Sequence, residues 1–256
     1  MKIYYKQLNE DLEKCYILPI SDIHYGTSFC DINKLERYLD WALKREDVYF
    51  LLNGDLVDCA TISSVGDVYG QKYNPQEQLD FMINFLKPFK DRILAMTTGN
   101  HEYRIYKDTG IDVSKIISDT LEIPYEPEGM VIKIHIGSDR NRKTRQVPYL
   151  IYMTHGWSNA RTSGAKLNTL ESLSNIVVNA DIYISSHTHK LMTAPDLIYY
   201  IDDKNNKVIE KKRYYVNSGS YQVYGGYAQF KGYRPVKLGT ARIRLDGKRK
   251  DVHISI

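Results

Sequence analysis

Five apolar runs in this chain stop abruptly at residues of one chemical kind, and that repetition limits what the chain can fold into more than any other feature. YILPISDIH ends on Asp22 and His24, VYFLLNGD on Asp55, and RILAMTTGNHE on Asn100 and His101. YLIYMTH ends on His155, and DIYISSHTH on His187 and His189. Short apolar runs followed by turn residues read as buried strands. Each of these hands a metal-ligand type to its carboxyl end, and the RILAMTTGNHE run delivers Asn100 and His101 into a loop.

Between the runs the pattern changes to helical. Residues 15 to 21 form the first buried strand, after a polar lead-in that makes an edge, and Asp22 to Gly26 is its exit loop. Asp31 to Glu46 places Leu35, Leu39, Trp41, Ala42 and Leu43 around an amphipathic helix with Asp31 as N-cap. A strand from Val48 to Leu52 follows. Residues 56 to 74, with Gly66, Tyr69, Gly70 and Tyr73, have no clean period and read as a long loop rimming the site. Pro75 suits the first position of a helix, and the strand Arg92 to Met96 comes next. Strand alternating with helix argues for βαβ units and a parallel sheet.

Asp112 to Leu121 reads as a short helix ended by Pro124. Val131 to Ile136 and Gln146 to Met153 read as an antiparallel pair in a second sheet, joined by a basic tip containing Arg140, Arg142, Lys143 and Arg145. Ala165 to Asn179 is expected to be helical, and Asp181 to Ser185 a strand. Beyond His189 the pattern is strand and turn only: Leu197 to Ile201, Val208 to Val216, and Thr240 to Asp246. The expected fold class is α/β, in one domain spanning 1–256.

Composition sets outer limits. A formal net charge of +4 over 256 residues is compatible with an anionic substrate without amounting to a nucleic-acid-binding field. Three cysteines, Cys15, Cys30 and Cys59, lack C-x-x-C spacing, so neither a disulfide framework nor a thiolate metal site is indicated. A reducing cytoplasm is the expected location. The N-terminal residues are charged where a signal peptide is apolar, and no run approaches membrane-spanning length.

Asp22, His24, Asp55, Asn100, His155, His187 and His189 are oxygen and imidazole donors without sulfur, a set suited to Mn, Fe or Zn. Seven donors exceed the needs of one ion. With Asp55 bridging, each of two divalent ions receives four ligands and keeps open positions for water and substrate. The i, i+2 spacing within Asp22/His24 and His187/His189 lets both members of each pair point the same way along an extended chain. His101, beside the ligand Asn100, is left free to act as general acid, with a metal-bridging hydroxide as nucleophile. A lone histidine at a strand end is usually structural, but five of the seven histidines sit at such ends. His135 and His253 lie inside strand-like runs and read as structural.

At these residues the sequence resembles the calcineurin-like metallophosphoesterases, whose pattern is D-x-H, G-D, G-N-H-[DE], H, G-H-x-H. Here it stands as Asp22-Ile-His24, Gly54-Asp55, Gly99-Asn100-His101-Glu102, His155 and Ser186-His187-Thr188-His189. The resemblance implies a four-layer αββα sandwich of two mixed β-sheets flanked by helices. It places Asp22, His24, Asp55 and His189 on one ion, and Asp55, Asn100, His155 and His187 on the other, Mn2+ before Fe or Zn. His101 is again the acid. Ser186 departs from the usual glycine.

Where the serine/threonine protein phosphatases continue D-R-G, this chain has Asp58-Cys59-Ala60, and Asp58 stands where purple acid phosphatases carry a metal-bound tyrosine. What remains resembles the H-x-H branch, which includes DNA-repair nucleases and cyclic-nucleotide phosphodiesterases. The implied activity is therefore a phosphodiesterase acting on DNA, RNA or a nucleotide, with a phosphomonoesterase or a non-catalytic scaffold as alternatives. The segment after His189 reads as strands completing the sandwich, without the repair nucleases' separate capping domain.

Arg161 and Lys166, near a helix start, either hold a second phosphate or strand backbone or are solvated. Arg104, three residues after His101, clamps phosphate or is likewise solvated. The tip bases read as a solvated hairpin end. Tyr221 to Arg234 interleaves aromatics with bases as a single-strand platform does, although core packing explains part of that pattern.

Overall fold

The computed structural model describes residues 1–62, 64, 68–139 and 145–256. Of the basic tip, Arg140, Arg142 and Lys143 lie outside the described residues, as does Gly66 of the rim loop.

In chain order the elements are β1 (Ile3–Gln7), β2 (Lys14–Ile20), α1 (Ile32–Leu43), β3 (Val48–Asn53), α2 (Pro75–Leu86), β4 (Ile93–Thr97), α3 (Asn100–Thr109), α4 (Val113–Leu121) and β5 (Met130–Ile136). They continue with β6 (Val147–Met153), α5 (Ser163–Glu171), β7 (Ile182–Ser185), β8 (Met192–Asp202), β9 (Lys207–Asn217), α6 (Gly226–Phe230), β10 (Arg242–Asp246) and β11 (Val252–Ser255). Among the described residues the strands make a five-stranded sheet, β11-β10-β2-β3-β4, and a six-stranded sheet, β1-β5-β6-β7-β9-β8.

Both sheets are mixed, and their parallel parts position the site. β2, β3 and β4 run parallel to one another, as do β6, β7 and β9. Their carboxyl ends therefore emerge along one edge, where open α/β sheets bind ligands.

Strand periodicity explains the layers, because successive side chains face opposite sides. Leu18, Ile20, Phe50 and Leu52 pack outward against α1, α2 and α4 through Leu35, Leu39, Met82 and Ile117. Ile17 and Leu51 turn inward onto Ile132, Ile134, Ile151, Ile182 and Ile184 of the other sheet. On the far side of that sheet, Val131, Tyr152 and Tyr183 meet Leu170 and Leu173. The result is the expected four-layer α/β sandwich.

Local signals act as expected at several ends. Asp31 caps α1 by accepting from the Lys34 amide, and Pro75 opens α2 behind an Asn74 and Glu77 capping box. β5 and β6 pair antiparallel, and β1 is the edge strand beside β5. Three expectations change. Asn100 and His101 do not lie in a loop but in the first turn of α3, because Gly99 takes the N-cap position and Glu102 reaches back to it. α5 stops at Glu171 and tightens into a 3-10 turn, Ser172–Asn175. There Ser172 and Ser174 hydroxyls bond the carbonyls of Thr169 and Glu171, competing with the helix. β8 begins at Met192 rather than Leu197 and carries Pro195 within it, tolerated because β8 is an edge strand.

No helix among the described residues is long and apolar enough to cross a membrane. The packing predicts that Leu51→Ala, fully buried between the sheets, lowers the unfolding free energy in urea by about 2–5 kcal/mol. Val178→Ala, at a position 70% exposed, is expected to change it by less than about 0.5 kcal/mol.

Candidate metal centre

The strand ends do not leave their sheets as extended chain. Asp22, His24, Asp55, His187 and His189 have φ of 47°, 50°, 52°, 65° and 56°, left-handed values that cost a non-glycine residue about 1–2 kcal/mol each. The i, i+2 pairs are therefore not extended chain. Asp22 and His24 meet in one cluster, whereas His187 and His189 part to two neighbouring clusters, and all four are left-handed. The amides of Ile23 and His24 both donate to the Asp55 carbonyl, and that of Asp22 to the Gly54 carbonyl, holding the turns in place.

Two glycines let the central loops touch. Gly54 has φ +77°, and a Cβ there would lie 2.5 Å from the Gly99 nitrogen; one on Gly99 would lie 2.1 Å from Asp55 Oδ1. Glu102, buried behind them, accepts from the backbone amides of Asp55, Leu56, Val57 and Gly99 at 2.6–3.2 Å. Burial, followed by the charge of Asp55, pushes its carboxyl above the usual range, while backbone amides work against that shift.

Two groups of donors meet here. In the first, His189 Nε2 lies 3.2 Å from Asp22 Oδ1 and 3.1 Å from His24 Nε2. In the second, His155 Nε2 lies 3.2 Å from both Asp55 Oδ2 and Asn100 Oδ1, and His187 Nδ1 is 2.8 Å from that same Asn100 oxygen. Asp55 stands between them. Its Oδ1 accepts from the His101 amide at 2.9 Å, which leaves Oδ2 to face His155 on one side and, at 3.8 Å, His24 Nε2 on the other.

These contacts crowd carboxylate and amide oxygens against imidazole nitrogens. Asp22 Oδ1 is fully buried with no hydrogen-bond donor of its own among the described residues. Burial works to raise the Asp22 and Asp55 carboxyls, but the surrounding histidines hold both well below the ordinary range. Burial likewise lowers His24 and His155, yet the aspartates outweigh it and carry them up to about 10 and about 9. His187 moves down, through burial and the neighbouring His155. Such a cage of oxygen and imidazole donors, whose carboxylates would otherwise hold protons on the imidazoles, fits a binuclear divalent metal site.

His101 sits beside the clusters. Its Nδ1 lies 2.9 Å from the Asp58 carbonyl and 3.0 Å from Asp58 Oδ1, so Nε2 is turned toward the site, 4.0 Å from Asp55 Oδ2. Asp58 also approaches His24 Nδ1 at 3.4 Å. Its second oxygen accepts from Gln71 Nε2 at 2.6 Å, and buried Gln78 takes the backbone amides of Asp58 and Cys59. Sequence reasoning noted Asp58 only as a replacement for tyrosine. An acidic residue three positions after Asp55 was the available signal.

The three expected phosphate contacts differ in placement. Arg104 lies on α3 with its Nη1 buried and without a partner among the described residues. Arg161 is exposed, its guanidinium 5.7 Å from the Tyr233 ring. Lys166 is buried and donates to the Thr188 carbonyl at 2.7 Å, bracing the turn between His187 and His189. His135 and His253 lie in β5 and β11, outside both clusters.

Structural comparison returns distant likenesses. A predicted phosphoesterase from Streptococcus pneumoniae is 16% identical, with 95% of this chain and 90% of that one covered at a TM-score of 0.41. The calcineurin-like phosphoesterase YfkN from Bacillus subtilis is 14% identical, with 79% and 90% covered and a TM-score of 0.41. A metallophosphoesterase from Sphaerobacter thermophilus is 16% identical, with 94% and 88% covered and a TM-score of 0.39. Among curated proteins no sequence matches significantly. The family model for calcineurin-like phosphoesterases matches residues 16–191, which span every donor in both clusters. With that match over more than half its length, the chain belongs to the calcineurin-like phosphoesterase family and is a metal-dependent phosphoester hydrolase.

Proposed function

We propose that this protein hydrolyses phosphodiesters of nucleotides or nucleic acid, using two divalent cations, Mn2+ before Fe or Zn. Asp22, His24, Asp55 and His189 would hold one ion, and Asp55, Asn100, His155 and His187 the other. The observation that carries this reading is the position of Asp55 Oδ2, facing His24 on one side and His155 on the other. When bound, such a pair supplies an activated water and neutralises phosphate charge.

The chain's own residues do the rest. Only two carboxylates, Asp22 and Asp55, belong to the ligand set, so two dications keep an excess of positive charge that favours an anionic phosphate. Arg104 and Arg161 add guanidinium groups suited to phosphate oxygens. His101 donates from Nε2 to the leaving oxygen, with Asp58 holding Nδ1 and so fixing the ring's orientation. The role of Lys166 is to keep the His187 to His189 turn in place through Thr188, with its remaining protons available to substrate.

A diester of nucleotides is favoured over a small monoester by the exposed aromatic and basic stretch near Arg161. Tyr224, Tyr227 and Phe230 are 45%, 51% and 87% exposed, and Lys231 lies over the Tyr227 ring. Such surfaces stack bases with little sequence preference. The three free cysteines accord with a reducing cytoplasm.

With Mn2+, the purified protein is expected to cleave bis(p-nitrophenyl) phosphate and short single-stranded DNA faster than p-nitrophenyl phosphate; monoester cleavage without diester cleavage would sink the reading. His101→Asn should retain Mn2+ yet slow turnover about 10²–10⁴-fold, most for poor leaving groups, and an unchanged rate on DNA would refute the acid role. Asp58→Asn should lower kcat by about 10- to 100-fold. Phe230→Ala is expected to weaken use of an oligonucleotide by about 1–3 kcal/mol while leaving bis(p-nitrophenyl) phosphate unaffected.

A further inference from the structure

Beneath the two clusters, the carboxyl ends of both sheets are joined by a buried run of hydroxyls and one amide. Ser21 Oγ lies 2.6 Å from Asp22 Oδ2 and 2.5 Å from Ser218 Oγ. Ser186 Oγ lies 2.9 Å from Ser218 Oγ and 2.5 Å from Asn53 Nδ2. Asn53 Nδ2 also donates to the Thr154 carbonyl at 2.9 Å, and Asn53 Oδ1 accepts from Thr97 Oγ1 at 2.9 Å. None of these side chains reaches solvent.

The donor inventory fixes every proton in the run. An ionised Asp22 has none to give, so Ser21 spends its single hydroxyl proton on Asp22. Ser218 must then donate to Ser21, and Ser186 to Ser218. Ser186 accepts in turn from the Asn53 amide, whose orientation is set by Thr97 on its oxygen and Thr154 on its second proton. Each hydroxyl donates once and accepts once, and the order runs one way, from Asn53 to Asp22. Hydrogen bonds aligned like this polarise one another.

The head of the run also touches the other cluster. The backbone carbonyl of Asn53 lies 2.7 Å from His155 Nδ1 and accepts its proton, which turns His155 Nε2 toward Asp55 Oδ2 at 3.2 Å. At the tail, Asp22 Oδ2 is occupied by Ser21 and by the His187 amide at 3.2 Å, so Oδ1 alone is turned to the first cluster. Ser186 stands where the family pattern has glycine, a residue with no hydroxyl to contribute.

We propose that Asn53, Ser186, Ser218 and Ser21 form a single positioning relay that couples the two cation clusters. The free oxygen of Asp22 in one cluster and the ring orientation of His155 in the other then depend on the same four residues. This rests on the two-cation reading above. Filling one cluster stiffens the relay and so prepares the other, and a break anywhere in it uncouples them.

The test is titration of metal-free protein with Mn2+ by isothermal calorimetry, alongside electron paramagnetic resonance. Wild type is expected to fill both clusters together and give a spin-coupled pair signal. Ser21→Ala and Ser186→Ala, which remove one hydroxyl and keep the Cβ, should each weaken Mn2+ binding by about 10- to 100-fold and give an isolated-ion spectrum at one equivalent. The double variant should bind no more weakly than the worse single one, because the run is broken only once. Unchanged isotherms in the single variants, losses that add in the double variant, or weaker binding that merely follows a lowered thermal midpoint would overturn the relay. If Ser21→Ala does not fold, Ser218→Ala interrupts the same run and carries the same expectation. A wild type that takes up no Mn2+ would instead remove the two-cation reading itself.

Discussion

A single carboxylate oxygen, Asp55 Oδ2, is the point on which the site depends. It can face two clusters only because its partner oxygen is engaged by the His101 amide at the start of α3. That amide is in place only because Gly54 and Gly99 let the two loops touch and Glu102 gathers the amides behind them. The clusters share an edge because three strands in each sheet run parallel into it. Topology therefore brings the donors near, and the Asp55 loop sets them to face one another.

This arrangement is expensive in local conformation. Five ligand-type residues in left-handed backbone oppose folding, as does the burial of the Asp22 and Asp55 carboxylates, which the neighbouring histidines offset. The opposing gain comes from the apolar layers on both sides of the five-stranded sheet, whose strands lead directly into the strained turns. A functional site built on strained turns at the ends of rigid strands keeps its donors positioned before any ligand arrives.

The Asp, Asn and His residues that cluster and the α/β alternation were legible in the sequence because both rest on short-range signals, while the sandwich came from the family resemblance. Apolar runs of strand length ended at Asp22, Asp55, His155 and His187, and capping residues such as Asp31 and Pro75 marked helix starts. What was not legible depends on contacts between distant segments. The left-handed turn at His24 is fixed by its amide on the Asp55 carbonyl and that at His189 is braced by Lys166 of α5 on the Thr188 carbonyl, and neither residue is a glycine that would announce a positive φ. Asn100 was misplaced into a loop because its helix is capped by glycine and by a backward-reaching Glu102. The buried run from Asn53 to Ser21 could not be found from spacing, since Ser21 and Ser218 are 197 positions apart.

Crystals grown with Mn2+, with anomalous scattering measured at the manganese edge, test the central claim most directly. The account predicts two peaks flanking Asp55 Oδ2, one toward Asp22, His24 and His189 and the other toward Asn100, His155 and His187. A single peak, or peaks away from Asp55, would contradict it.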